Sequence, residues 1–294
     1  MTTVAGIVSP GLMGRAIGTA LVTAGHRVIV TTSGRSERTA RLAAESGLEQ
    51  VSDLDGLVAE AGVVLSVVPP GEARSAARAI AEAAGRCGGS PLFVDLNAVS
   101  PGTIRLIAET VATVGLQLVD GSISGPPPQG DPPTRVYLSG DRAAEVAEVL
   151  SVPAIAPRVV PGPPGLASAV KMSTASVYKG RVAILCQALR AAQQYGVLEP
   201  VLDDLVNAFP GIHDQGGRTL ALAAAKSPRY VAEMLEIADS QEAAGLTAGL
   251  FTAVADVYEQ IAGSPLATAE PEDVGASVDL PTLLAALGPS PGLS

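Results

Sequence analysis

The chain has 294 residues, of which 47% are hydrophobic and only 16% charged, so it is long and apolar enough to bury a substantial core in one large or two ordinary domains, and disorder is excluded for most of it. Aromatics are 3% with no Trp, so that core is built from Ala, Val, Leu and Ile, and the 32 Gly and 23 Pro follow no G-X-Y period, which excludes collagen. A formal net charge of −10 argues against non-specific nucleic-acid binding, because an acidic surface repels phosphate backbones.

The N-terminal stretch lacks a basic leader and Arg15 interrupts its apolar run, so it reads as folded structure rather than an export signal. No apolar run approaches the roughly 20 residues that span a bilayer. The expectation is a soluble cytoplasmic protein with no membrane partner. Cys87 and Cys186 are far apart and read as two buried small hydrophobes. With 2 His and no zinc-ligand spacing, no metal is expected.

Up to Val160 the chain alternates short apolar runs with helical patterns. Strands are predicted at residues 3–8, 27–31, 63–68, 92–95, 117–120 and 135–139. Helices are predicted at 12–24, 37–45, 73–84, 101–114 and 141–150. Pro101 is well placed for a first helical turn. This alternation implies βαβ units and a doubly wound, mostly parallel α/β sheet of the Rossmann type. The cluster Pro161-Gly-Pro-Pro-Gly165 then punctuates the chain, and strand signals end. A long helix is predicted over 166–192, followed by helices at 198–208, 216–225, 230–244 and 246–262. The expected domains are therefore 1–161, of the Rossmann type, and 162–294, all-α and starting with the long helix; the residues below make the first the NADP-binding domain and the second the substrate and dimerisation domain. The long helix is too apolar to stand alone, so a partner subunit is expected to help cover it.

The chemistry-bearing residues cluster at predicted strand ends. Gly6-Ile-Val-Ser-Pro-Gly11-Leu-Met-Gly14 joins the first strand to the first helix. Gly11 and Gly14 fit the second and third glycines of G-x-G-x-x-G, with Ser9 in place of the first. Ser9, Pro10, Gly11, Leu12, Met13 and Gly14 are thus expected around a dinucleotide pyrophosphate, at a helix N-terminus. The second strand ends in Thr31-Thr-Ser-Gly-Arg35-Ser-Glu-Arg38, with no acid to accept from a ribose 2′-hydroxyl. Arg35 can fork onto a 2′-phosphate, with Ser33 and Ser36 beside it, which points to NADP(H) over NAD. The other reading of Arg35 and Arg38 is ordinary solvated loop charge. Val68 and Pro69 close the next buried strand and Asn97 the one after, where ligands of open sheets bind. Asn97 either reaches the nicotinamide region or satisfies its own loop.

Asp120-Gly-Ser-Ile-Ser124-Gly125-Pro reads as a small-residue loop. Backbone N–H groups near Ser124 and Gly125 can hold a carboxylate, although a plain Gly/Ser turn fits the segment equally. Lys171 lies early on the long helix in an otherwise uncharged stretch, which predicts partial burial. A buried lysine has a lowered pKa and can exchange protons near neutrality; the alternative is a snorkelling surface lysine. Thr174, Ala175 and Tyr178 follow at helical spacing. His213 is a further polar candidate in a predicted loop, where a histidine commonly faces solvent.

These segments resemble, in order, the signatures of the β-hydroxyacid dehydrogenase family, which includes 6-phosphogluconate and 3-hydroxyisobutyrate dehydrogenases. The nucleotide loop matches Gly6–Gly14. The substrate loop D-x-x-x-S-G-G matches Asp120–Pro126, with Pro126 at the second glycine of the pair. The catalytic motif G-x-x-G-x-x-x-x-x-K-x-x-x-N matches Gly162–Ala175, with Ala175 at the asparagine. The fourth signature, a K-D pair on a later helix, falls at Ala232-Glu233.

The resemblance implies an NADP-dependent oxidoreductase moving hydride between the nicotinamide and a small polar hydroxyacid or ketoacid. Lys171 would be the general acid/base. Ser124, Gly125, Thr174, Tyr178 and Glu233 would line the substrate side, with Thr174 or Tyr178 standing in for the absent asparagine. The long helix, with no evident cover of its own, points to a homodimer. Two alternatives stay open: imine reductase-like C=N reduction, whose typical enzymes lack the lysine, and a non-catalytic NADP-binding regulatory module.

Overall fold

Runs of Val, Ile and Leu form the central strands, where β-branched side chains pack well on a pleated surface. The computed structural model describes residues 3–34, 37–269, 271–275 and 277–287. In chain order the first elements are β1 (Ala5–Ile7), α1 (Leu12–Thr23), β2 (Val28–Val30), α2 (Glu37–Ala44), β3 (Glu49–Gln50), α3 (Leu54–Glu60), β4 (Val63–Ser66), α4 (Ala73–Cys87) and β5 (Leu92–Asp95). They continue with α5 (Pro101–Ala112), β6 (Leu118–Ser124), β7 (Thr134–Ser139), α6 (Ala143–Leu150) and β8 (Ile155–Val159). Then come α7 (Leu166–Gln194), α8 (Leu198–Leu205), α9 (Ile212–Ala243), α10 (Gly249–Ala262) and α11 (Leu280–Ala286).

Among the described residues the strands form one sheet in the order β3-β2-β1-β4-β5-β6-β7-β8. Every pair is parallel except β6 with β7. Both faces are buried. Val63, Leu65, Leu92 and Val94 join one core cluster with Ile17 and Leu21 of α1 and Val146 and Leu150 of α6. The alternate residues Val64 and Phe93 join another with Leu57 of α3, Ala77 and Ile80 of α4 and Ile104 of α5. This is the doubly wound α/β arrangement expected from the sequence, followed by a helical second half.

The chain divides into two compact units between Ser173 and Thr174. The boundary lies inside α7 rather than at Gly162, because the first two turns of that helix are tied to the sheet.

Several elements differ from the sequence reading, each for a physical reason. The segment read as a loop after Asp120 is the second half of β6, paired through Gly121, Ser122, Ile123 and Ser124 with β7. Ladder pairing there overrides the weak strand preference of Gly and Ser. β8 escaped notice because Pro157 interrupts it. Proline is tolerated because β8 is an edge strand, bonded only to β7. β3 is two exposed residues, and α3 is seven residues capped by Asp53, whose Oδ1 accepts from Gly56 N at 2.8 Å.

The two helices expected on either side of Pro228 are one helix, α9, with Pro228 inside it. Proline cannot donate to the carbonyl four residues back. Ser227 Oγ donates to that carbonyl, Ala224 O, at 2.6 Å and so repairs the ladder. His213 belongs to the first turn of α9 rather than a loop and pairs with Asp203 at 3.4 Å.

One of the two cysteines differs from expectation. Cys186 is buried, but Cys87, the last residue of α4, is exposed. Burial pushes the Cys186 thiol up to about 11, which leaves it protonated and inert at neutral pH. No helix among the described residues is long and apolar enough to cross a membrane.

Candidate active site

In an open parallel sheet, ligands bind beyond the carboxyl ends of the strands. At the end of β1 the chain turns through Ser9, Pro10 and Gly11 into α1. Gly11 is the N-cap of α1, with an extended backbone (φ −68°, ψ −170°), and no side chain caps the helix among the described residues. The N–H groups of the first turn, from Leu12 and Met13 onward, are therefore offered to an anion. A Cβ on Gly11 would meet nothing within 4 Å, whereas one on Gly14 would sit 2.2 Å from the Ser9 carbonyl oxygen. Only glycine at position 14 lets the loop fold back on the helix. Open space, free donors and a tight turn fit a dinucleotide pyrophosphate.

At the end of β2, Thr31 is buried and its Oγ1 accepts from Ser33 N at 3.3 Å. Ser33 is exposed on the rim of a cleft of about 390 Å³ that is also lined by Val8, Thr31, Asp53, Leu54 and Ala76. Asp53 and Leu54 were not anticipated, because the short helix they begin carries little sequence signal. Arg35 and Ser36 lie outside the described residues.

The ends of β4 and β5 are joined by Asn97, which is buried. Its Oδ1 accepts from Val68 N at 2.7 Å, and its Nδ2 donates to Ser66 Oγ at 3.1 Å and Asp95 Oδ2 at 2.8 Å. These bonds are those of the reading in which Asn97 satisfies its own loop. Both amide hydrogens are spent on protein, so the side chain shapes the loop around Val68 and Pro69 and has none left for a ligand.

In the first unit β6 meets the start of α7. Ser124 is the last residue of β6, half-buried, and Gly125 follows with φ +143°, a conformation that L side chains rarely adopt. Lys171 is half-buried, and its Nζ donates to Ile123 O at 2.7 Å. Two motifs some 45 positions apart are thus brought side by side, the lysine ending on the carbonyl just before Ser124. Asp120, at the head of the same motif, is fully buried and was not singled out from the sequence. Its signal was a lone acid in an apolar strand.

The remaining expected substrate residues belong to the second unit. Ala175 is buried, Thr174 half-buried, and Tyr178 lies at the surface with 63% exposure. Glu233 is 3% exposed. Its carboxylate pairs with Lys179 through Oε2 and with Arg229 Nε through Oε1 at 3.1 Å. A buried carboxylate needs such cations. Lys179 Nζ also stands 4.4 Å from the centroid of the Tyr230 ring. Tyr230 meets Tyr258 edge-on at 5.2 Å, and Tyr258 Oη donates to Lys179 O at 2.8 Å. Burial pushes both tyrosine hydroxyls up, so they stay protonated at neutral pH. Glu233 is therefore part of a structural cluster joining α7 to α9.

The family model described as the NAD binding domain of 6-phosphogluconate dehydrogenase matches residues 5–154, and a domain of unknown function, DUF1932, matches residues 192–261. No curated protein matches the sequence. Among solved structures, a conserved hypothetical protein from Sinorhizobium meliloti 1021 is 28% identical, over 98% of this chain and 97% of its own, with a TM-score of 0.67. The conserved protein MTH1747, of unknown function and described as structurally similar to 3-hydroxyacid dehydrogenases, is 27% identical over 88% of this chain and 96% of its own, with a TM-score of 0.65. A Mycobacterium tuberculosis 3-hydroxyisobutyrate dehydrogenase, solved with L-serine, shares the fold at 21% identity, with a TM-score of 0.66 over 98% of this chain and all of its own. With its first half matched end to end by the family model, the chain belongs to the 6-phosphogluconate dehydrogenase-like family of NAD(P)-dependent oxidoreductases.

Proposed function

We propose that the protein is an NADP-dependent oxidoreductase acting on a small hydroxyacid or ketoacid, with Lys171 as its general acid/base. The observation that carries this reading is the hydrogen bond of Lys171 Nζ to Ile123 O at 2.7 Å, beside Ser124 and Gly125. When bound, the nicotinamide supplies the two-electron partner, taking hydride from the substrate carbon or giving it back. In the oxidative direction Lys171 Nζ takes the hydroxyl proton as the carbonyl forms, and in reduction it returns that proton to the oxygen. The Ser124 hydroxyl and the Gly125 N–H orient the substrate carboxylate. The first-turn N–H groups of α1 hold the pyrophosphate, and Ser33, Arg35 and Ser36 select the 2′-phosphate.

The test is a binding titration with NADPH against NADH, followed by a turnover panel of small hydroxyacids, ketoacids and cyclic imines. Tighter binding of NADPH and turnover of an oxygen-bearing substrate are expected. A strong preference for NADH would overturn the role of Arg35. Turnover confined to imines would move the chemistry to C=N reduction, and NADPH binding with no turnover at all would make the protein a regulator.

The functional unit we propose is a homodimer. In the second unit an apolar groove of about 350 Å³ is lined by Val177, Gly180, Ile184, Phe209, Leu250 and Phe251. Val177, Ile184 and Leu250 are 64%, 62% and 54% exposed, which is costly for neighbouring large apolar side chains in water. A second copy would cover them. Sedimentation equilibrium should give twice the chain mass, and a monomer at micromolar concentration would refute the pairing.

A further inference from the structure

Asp120 has no exposed surface, yet its hydrogen-bond partners are all neutral groups. Its carboxylate accepts four bonds: from Ser139 Oγ at 2.9 Å, Gly165 N at 2.8 Å, Ser168 N at 3.0 Å and Ser168 Oγ at 2.7 Å. Gly165 immediately precedes α7, and Ser168 lies in its first turn. The N–H groups of a first helical turn lack partners within the helix. Here a carboxylate from a distant strand supplies them, at the end where the helix dipole favours negative charge. Two more bonds complete the clamp. Ser122 Oγ donates to Ala167 O at 2.8 Å, and Ala167 N donates to Ser139 Oγ at 3.0 Å.

Burying an anion is expensive, and a plain capping serine next to the helix would satisfy the same N–H groups at less cost. What the carboxylate adds is registration. Asp120 and Ile123 sit three residues apart on β6, and Ser168 and Lys171 sit three residues apart on α7. The strand thus grips the helix twice, once by the Asp120 carboxylate on the first turn and once by the Ile123 carbonyl on Lys171 Nζ. Rotating α7 by a single residue would swing Lys171 by about 100° away from Ser124.

We infer that Asp120 is a positioning residue that sets the rotation and height of α7 and thereby holds Lys171 beside Ser124 and Gly125. The inference rests on the acid/base reading of Lys171 only for its consequence in turnover; the mechanical linkage stands on its own.

Lysine labelling of the full chain tests it directly, because there are only three lysines: Lys171, Lys179 and Lys226. The last two lie in the second unit and serve as internal controls. With acetic anhydride and mass-spectrometric readout, Asp120→Ala should raise labelling of Lys171 by at least about fivefold relative to both controls. It should also lower kcat about tenfold to hundredfold with a much smaller change in KM.

Asp120→Asn should largely rescue. Its amide oxygen can take the bonds from Ser139, Gly165 N and Ser168 N, while the Ser168 hydroxyl turns round to accept from the amide nitrogen. Lys171 labelling should then stay within about twofold of the parent protein. If Asp120→Ala does not fold, Ser168→Ala removes a single bond and should still raise Lys171 labelling selectively. Unchanged Lys171 labelling in a folded Asp120→Ala or Ser168→Ala protein overturns the inference. So does an equal rise at all three lysines, which would mean general loosening. Failure of the acid/base reading looks different: a Lys171→Ala enzyme with full turnover would leave the labelling pattern intact.

Discussion

A Lys171→Ala variant is expected to turn over its substrate about 10²- to 10⁴-fold more slowly than the parent protein. Hydride transfer to or from a carbon bearing oxygen leaves that oxygen with a charge unless a proton moves with it. In a site shielded from water that charge is costly, so a positioned proton carrier is worth several kilocalories per mole. Lys171 is the basic side chain held against the Ser124 end of β6, with Nζ on Ile123 O. NADPH affinity should be preserved, because the pyrophosphate cradle we propose lies in the β1–α1 turn, where Gly11 and Gly14 make the loop. Lys171→Arg should be nearly as poor as alanine. A guanidinium keeps the charge but does not give up its proton at working pH. Stopped-flow turnover with saturating NADPH, alongside a fluorescence titration of the cofactor, separates the two effects. Unaltered kcat in Lys171→Ala would remove the assignment.

The largest stability loss is expected at Glu233. Glu233→Ala should cost about 3–5 kcal/mol, since it takes the buried carboxylate away from the Lys179 ammonium, whose side chain is only 15% exposed. Arg229 is half-exposed and can turn to water, so its share is small. The Tyr230 ring under Lys179 offsets part of the penalty but does not replace an anion. A loss of that size is a large fraction of the roughly 5–15 kcal/mol that keeps an ordinary domain folded. Replacing both partners together, Lys179→Met with Glu233→Leu, should recover most of the loss, because the apolar pair needs no compensating charge. Urea unfolding of the parent, Lys179→Met, Glu233→Leu and the double variant measures the coupling, with Glu233→Ala unfolded alongside. A Glu233→Ala midpoint within error of the parent would show that Lys179 finds another counter-charge or escapes to solvent.

What could be read in the chain follows the range over which each signal acts. Strand–helix alternation is local, and it located β1, β2, β4, β5 and their helices to within a few residues. Gly11 and Gly14 act within one turn and were equally plain. Elements set by tertiary contacts were not. The second half of β6 is Gly-Ser-Ile-Ser, and it is a strand because β7 lies beside it. Pro228 looked like a helix end because the repair by Ser227 is invisible without coordinates. Among site residues, Lys171 stood out as a lone charge in an apolar helix. The fate of Glu233 depends on Lys179, 54 positions earlier, and nothing near Glu233 announces that partner. Asp120 was visible as part of a motif, but its four donors come from β7 and from the start of α7.

The tyrosine pair under Lys179 has an optical consequence. The chain has no Trp and five Tyr, and four of them, Tyr178, Tyr195, Tyr230 and Tyr258, lie in the second unit, leaving Tyr137 alone in the first. Near-ultraviolet circular dichroism and intrinsic emission are therefore almost silent reporters of the nucleotide-binding unit and sensitive reporters of the helical one. The locked edge-on stack of Tyr230 on Tyr258 supplies the chiral environment that makes such a signal strong. Reduced nicotinamide absorbs and emits at longer wavelengths than tyrosine. A single sample can thus be followed at two colours, one tracking the helical unit as it melts and the other tracking the cofactor as it leaves.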